Sequence, residues 1–134
     1  TEDSRLARQR DELWHGLLAR IPGLERNGDR ESCLPNTLNV SFPKTSGAAV
    51  LAHTPGVAAS TGAACHSAIP EPSAVLMAMG LPRERALGAA RLSLGRWTTD
   101  QEVARAAELL AAGWQAAVAA GATPGFVLDI AAQR

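Results

Sequence analysis

The chain lacks tyrosine, has two phenylalanines among 134 residues and carries a single lysine, Lys44. An aromatic core is therefore excluded, and apolar packing falls to Ala, Leu, Val and the three tryptophans, a composition that suits a helix-rich domain. Charge of one sign is also missing. Thirteen basic and thirteen acidic residues cancel, which argues against holding nucleic acid or an anionic membrane through bulk charge. Apolar runs are interrupted by Gly, Pro or charge well before a membrane-spanning length, and the first ten residues lack the apolar core of a secretory signal. Cysteine is scarce too: Cys33 and Cys65 are the only two, and the expectation is a reducing cytoplasm with both thiols free.

What is present reads as one α+β domain. Leu6, Leu13, Trp14, Leu17 and Leu18 recur at helical intervals and predict an amphipathic helix over residues 3–20, capped by Asp3 or Ser4, with Arg5, Arg8, Arg10, Asp11 and Glu12 on a solvated face. Residues 21–30 read as a polar connection. Leu38, Val40 and Phe42 then alternate with Thr37, Asn39 and Ser41 between two prolines, the period of a half-buried strand. A short helix at 47–53 and a brief strand at 57–60 follow. Beyond a Pro-containing loop, 75–80 reads as a short apolar helix ended by Gly80, with Met77 and Met79 as core filler. A helix at 83–87 precedes a strand over 90–96. Thr98, Thr99 and Asp100 cap a long helix over 100–120, with a capping box in Thr99–Glu102. The expected fold is a small antiparallel sheet of about three strands flanked by helices, a domain over 1–120 and a C-terminal tail over 121–134.

Several chemistries are unsupported by spacing. His15, His53, His66 and the two cysteines show no metal-ligand pattern, no G-x-S-x-G elbow is present, and Gly-rich phosphate loops are absent. Two residues stand out. Cys65 lies in residues 60–67, STGAACHS, among side chains small enough to admit a substrate, where a thiolate can act as nucleophile. The alternative is an inert, packed thiol. Adjacent His66 would usually point away from it. Arg91 lies on a strand otherwise of Ala and Leu, where burial without a carboxylate partner is costly. That partner is either a protein Asp or Glu or the carboxylate of an amino-acid substrate, since a guanidinium offers two parallel donors. Arg96, beside Trp97 and the helix cap, reads as structural.

Three stretches in this order, residues 34–42 (LPNTLNVSF), 60–67 with 71–73 (EPS), and 91–99 (RLSLGRWTT), resemble the C-terminal part of the cysteine desulfurases and selenocysteine lyases. These are pyridoxal-phosphate enzymes of the class V aminotransferase group. The similarity runs from the first helix to about Ala117. It implies that Cys65 is the catalytic cysteine, taking sulfur as a persulfide or assisting selenium release. It implies that Arg91 holds the substrate α-carboxylate, and it matches Asn36 to a family asparagine near the substrate.

The triplet Cys65-His66-Ser67 looks more like selenocysteine lyases, whereas the EPS spacing and the SLGRWTT run suit cysteine desulfurases with a mobile cysteine loop. The balance leans towards the lyases. The family holds its cofactor on a lysine in a large N-terminal domain. Lys44, in a Pro-Lys-Thr turn, matches no such motif, so this stretch of chain is not expected to bind pyridoxal phosphate or turn over alone. The resemblance further implies a homodimer for the longer enzyme and a sulfur or selenium acceptor protein. A reading of another class is a stand-alone, non-enzymatic sulfur-relay or interaction module that uses Cys65.

Overall fold

The structure, a computed structural model, describes residues 1–28, 34–57, 59, 60, 72 and 74–133, with 59, 60 and 122–133 by backbone only. Cys33, Cys65 and His66 lie outside the described residues.

Helix α1 spans Glu2–Arg20 and is capped by Thr1, whose hydroxyl accepts from the Ser4 amide, so the cap lies ahead of both residues expected to supply it. Its apolar stripe buries Leu6, Leu13 and Leu17. The charged face is not simply solvated. Arg10 is buried and donates to the Leu34 carbonyl at 3.0 Å, and Arg5 reaches the carbonyls of Arg96 and Thr98 at 2.7 and 2.9 Å. Long guanidinium side chains satisfy backbone acceptors here while their stems cover apolar surface.

Four strands follow: β1 (Glu25–Arg26), β2 (Thr37–Ser41), β3 (Ala59–Ser60) and β4 (Ala89–Ser93), forming one antiparallel sheet in the order β1-β2-β4-β3. The three expected strands are β2, β3 and β4. The fourth, β1, forms within the stretch read as a connection, by pairing Glu25 with Ser41 and Arg26 with Val40. Two residues carry no periodicity, so only this long-range pairing defines the strand.

Alternation along β2 sends Leu38 and Val40 to one face, with Phe42 continuing the set, and β4 adds Ala90 and Leu92. This face packs against α1 and the long helix α5 (Asp100–Gln133), which contributes Val103, Ala107, Leu110, Ala111 and Ala117. Helix α2 (Gly47–Ala52), capped by the Ser46 hydroxyl, closes the same core with Val50. Burial of these aliphatic side chains is the main stabilising term, at about 25 cal/mol per Å².

Helix α5 opens on the expected capping box: the Glu102 amide donates to the Thr99 hydroxyl at 3.1 Å and the Thr99 amide to Glu102 at 2.9 Å. Its backbone runs past the expected end at Ala120 to Gln133. Alanine has the highest helix propensity, and the Ala-rich sequence carries the helix across Gly121 and Pro124.

On the other side of the sheet, α3 (Ala74–Ala78) and α4 (Arg83–Leu87) build a small cluster of Leu76, Ala86 and Ala89 with Leu81 against it. Gly80, at φ +93°, ends α3, and the Leu81 amide returns to the Leu76 carbonyl at 3.2 Å. Met77 and Met79 are exposed rather than core. A five-residue helix buries one residue, Leu76, and leaves the flanking positions outward. Among the described residues, no helix is long and apolar enough to cross a membrane.

Candidate functional site

The face of the sheet turned away from the core is polar. Register pairs Thr37 with Ser93, Asn39 with Arg91 and Ser41 with Ala89, so these residues share that face, with Asn39 directly across from Arg91. On the opposite flank of β4, Ser60 pairs with Arg91. Helices α3 and α4 cover the Ser41–Ala89 end, where both residues are buried, and the Asn39–Arg91–Ser93 end is open.

Arg91 is exposed, so the cost of burying an unpaired guanidinium does not arise. Among the described residues no carboxylate pairs with it. Asn36 precedes β2 and brackets the sheet end. Its carbonyl accepts from the Leu94 amide at 2.8 Å, its Nδ2 approaches the Leu94 carbonyl at 3.4 Å, and its Oδ1 accepts from the Thr37 hydroxyl at 3.2 Å. Strand register sets Asn39 beside Arg91.

Asn39 belongs to a network that sequence reasoning missed. Asn27, just after β1, donates from Nδ2 to Asn39 Oδ1 at 2.9 Å and to Ser41 Oγ at 2.8 Å. Arg85 on α4 donates from Nε to Asn27 Oδ1 at 2.8 Å and from Nη2 to the Arg26 carbonyl at 3.0 Å, and pairs through Nη1 with Glu25 at 3.1 Å. Ser41 passes its own hydrogen to the Arg85 carbonyl at 2.6 Å. Asn27 and Ser41 are both buried, which makes each of these bonds costly to lose. The available signal was the parity of β2: polar residues at 37, 39 and 41 fall on one face, that of Arg91.

Trp97 is exposed and lies under the Arg96 guanidinium at 5.3 Å from its ring centroid. The Arg96 backbone carbonyl accepts from Arg5 at 2.7 Å. Among the described residues, no group of three or more His, Cys, Asp or Glu side chains could hold a metal ion.

The cleft beside the one lysine does not fit pyridoxal phosphate. The one lysine, Lys44, sits at φ +66° beside a cleft of about 360 Å³ whose walls include Glu25, Glu84 and Arg85. Arg85 is already engaged with Glu25 and Asn27, and the remaining wall charges, Lys44 and Glu84, offset each other, so the cleft offers a phosphate no net positive charge.

No protein-family model matches the chain. Individual relatives do. A cysteine desulfurase of Azotobacter chroococcum is 42% identical over 106 residues, covering 78% of this chain and 27% of the relative. One from a Nostoc species is 46% identical over 105 residues, covering 77% and 26%. The cysteine desulfurase IscS of Pectobacterium atrosepticum is 43% identical over 109 residues, covering 81% and 27%.

The solved structure of a NifS-like protein superposes with a TM-score of 0.68 at 29% identity, over 82% of this chain and 27% of that one. A NifS-like protein from Rickettsia africae, 23% identical with a TM-score of 0.57, shares the fold. The chain spans about a quarter of the length of the relatives it matches. Sequence and fold agree: the chain belongs to the cysteine desulfurase family.

Proposed function

We propose that this chain supplies the substrate-carboxylate site and the acceptor thiol of a cysteine desulfurase. The observation that carries the reading is Arg91: an exposed guanidinium on the open polar face of the sheet, with no carboxylate partner among the described residues. A guanidinium presents parallel N–H donors that match a carboxylate in geometry and charge. Cys65, five residues after the strand position paired with Arg91, is the nucleophile.

In this reading Arg91 fixes the α-carboxylate of cysteine, and the Cys65 thiolate attacks the substrate sulfur. The Cβ–S bond breaks, an S–S bond forms, and the electron pair left with the carbon skeleton is protonated so that alanine leaves. Pyridoxal phosphate, the family's cofactor, supplies the electron sink when bound. The residues holding it lie outside these 134, so the chain by itself does not turn over. The Cys65 persulfide then passes its sulfur to an acceptor protein.

Selenocysteine is the second substrate reading, favoured by the Cys65-His66-Ser67 triplet; the relatives above are named cysteine desulfurases. The test takes the protein expressed from its complete reading frame and supplies L-cysteine and L-selenocysteine separately, reading alanine, sulfide and selenide. Alanine from cysteine, abolished by Cys65→Ala, supports the desulfurase reading. Alanine from selenocysteine alone moves the assignment to a lyase. A persulfide on Cys65 without alanine from either amino acid overturns the enzyme reading in favour of a sulfur relay.

A further inference from the structure

We propose that Asn39 is a second donor to the substrate carboxylate, its amide aimed by a one-way hydrogen-bond relay from Arg85 through Asn27. The inference rests on the carboxylate role proposed for Arg91. It begins from a group whose polarity is unambiguous. A guanidinium can only donate, so the atom of Asn27 that meets Arg85 Nε at 2.8 Å is its carbonyl oxygen. The other end of that amide is therefore Nδ2, and its two hydrogens go to Ser41 Oγ and Asn39 Oδ1. Flipping the Asn27 amide would set N–H against N–H at Arg85 and leave Ser41 and Asn39 facing a carbonyl.

The relay consequently fixes the next amide as well. Asn39 must present its oxygen to Asn27, and its Nδ2 is the end left over. That nitrogen donates to no described residue. Side chains directly opposed across antiparallel strands have Cβ atoms about 5 Å apart, and Asn39 is opposed to Arg91. The open end of the sheet thus carries a guanidinium and an oriented amide side by side, with donors that no described residue takes up. Asn39 is half-buried, so unspent N–H groups there are less well hydrated than those of Arg91. A carboxylate, with two oxygens and about four lone-pair sites, matches both groups at once.

The test uses the intact, cofactor-loaded protein. Asn39→Asp keeps an oxygen for Asn27 to donate to while replacing the donor by an acceptor whose negative charge also faces Arg91, so the uncharged Asn39→Ala is the variant that isolates the lost donor. The KM for L-cysteine is expected to rise about ten- to a hundredfold, the value of one hydrogen bond to a charged group, with kcat within about twofold and an unchanged melting temperature. Asn39→Ala is expected to raise the same KM while leaving inhibition by cysteamine, which lacks the carboxylate, unchanged within about twofold.

Arg91→Ala separates the two readings. If it leaves KM unmoved, the carboxylate site itself is refuted. If it raises KM while Asn39→Asp, natively stable, does not, the second-donor role alone is overturned. A merely structural Asn39 would lower the melting temperature and weaken cysteine and cysteamine alike.

Discussion

The two faces of the sheet are made of the same strands and work by different physics. The core face presents Leu38, Val40, Ala90 and Leu92 to α1 and α5, and its contribution scales with area removed from water and with how well volumes fit. The opposite face presents Thr37, Asn39, Arg91 and Ser93, and what it can do depends on which atom donates and which accepts. Shape can be conserved by many substitutions; the direction of an amide cannot. Damage to the first face should therefore appear in stability, and damage to the second in recognition.

The largest expected effect tests the first half of that contrast. Leu17 is fully buried between α1, the sheet and α5, and Leu17→Ala should lower the unfolding free energy by about 2–5 kcal/mol, read from the urea midpoint at constant slope. Leu17→Met, which keeps the volume, should cost less than about 1.5 kcal/mol. Equal losses for the two would mean that volume is not what the position contributes.

Arg91→Ala is the converse. An exposed side chain away from the core should leave stability within about 0.5 kcal/mol of the parent while raising the KM for the amino-acid substrate by about a hundredfold in the intact enzyme. A stability loss approaching that of Leu17→Ala would erase the distinction between the faces.

Asn27→Ala crosses the boundary, because Asn27 is buried yet belongs to the polar network. It strands Arg85 Nε, Ser41 Oγ and Asn39 Oδ1 without their partner, and a cost of about 1–3 kcal/mol is expected, together with a KM increase smaller than that of Asn39→Asp. A stability loss with KM unchanged would confine the network to a packing role.

Features set by local pattern were legible in the sequence. Alternation placed Leu38, Val40 and Phe42 on the core side, the helical stripe of α5 was visible as Val103, Ala107 and Leu110, and the capping box at Thr99–Glu102 has the bonds its spacing implies. Features set by distant partners were not. Strand β1 exists through its pairing with β2, Met77 and Met79 are exposed because a one-turn helix covers little, and Arg5 and Arg10 satisfy carbonyls far away in the chain. The site shows the same division. Arg91 stands out as a charge in an apolar strand, but finding Asn39 beside it requires knowing which residue of β2 lies across from it, and register is a tertiary property. Cys65 was singled out by composition and family resemblance and falls outside the described residues.

The smallest expected effect concerns neither face but the seam where α1 meets the start of α5. Gln9, itself buried, donates from Nε2 to the Thr98 carbonyl at 3.0 Å and to Asp100 Oδ1 at 2.9 Å, while Arg8 reaches the same carboxylate at 3.2 Å. The Gln9 hydrogen bond first, and the Arg8 bond second, hold the Asp100 carboxyl below its ordinary range. A pKa lowered by folding means that the stabilisation is complete above the unfolded value, about 3.9, and is lost as pH falls through the folded one. The stability difference between the parent and Asp100→Asn should therefore stay constant from about pH 7 to 5 and shrink below about pH 4. The group is largely solvent-exposed, so the difference should be small, and urea midpoints across that range would read it. A difference that grows on acidification would show that Asp100 is strained rather than supported by its neighbours, and that the polar bonds of the seam are those of Gln9 and Arg5 to the Thr98 and Arg96 carbonyls.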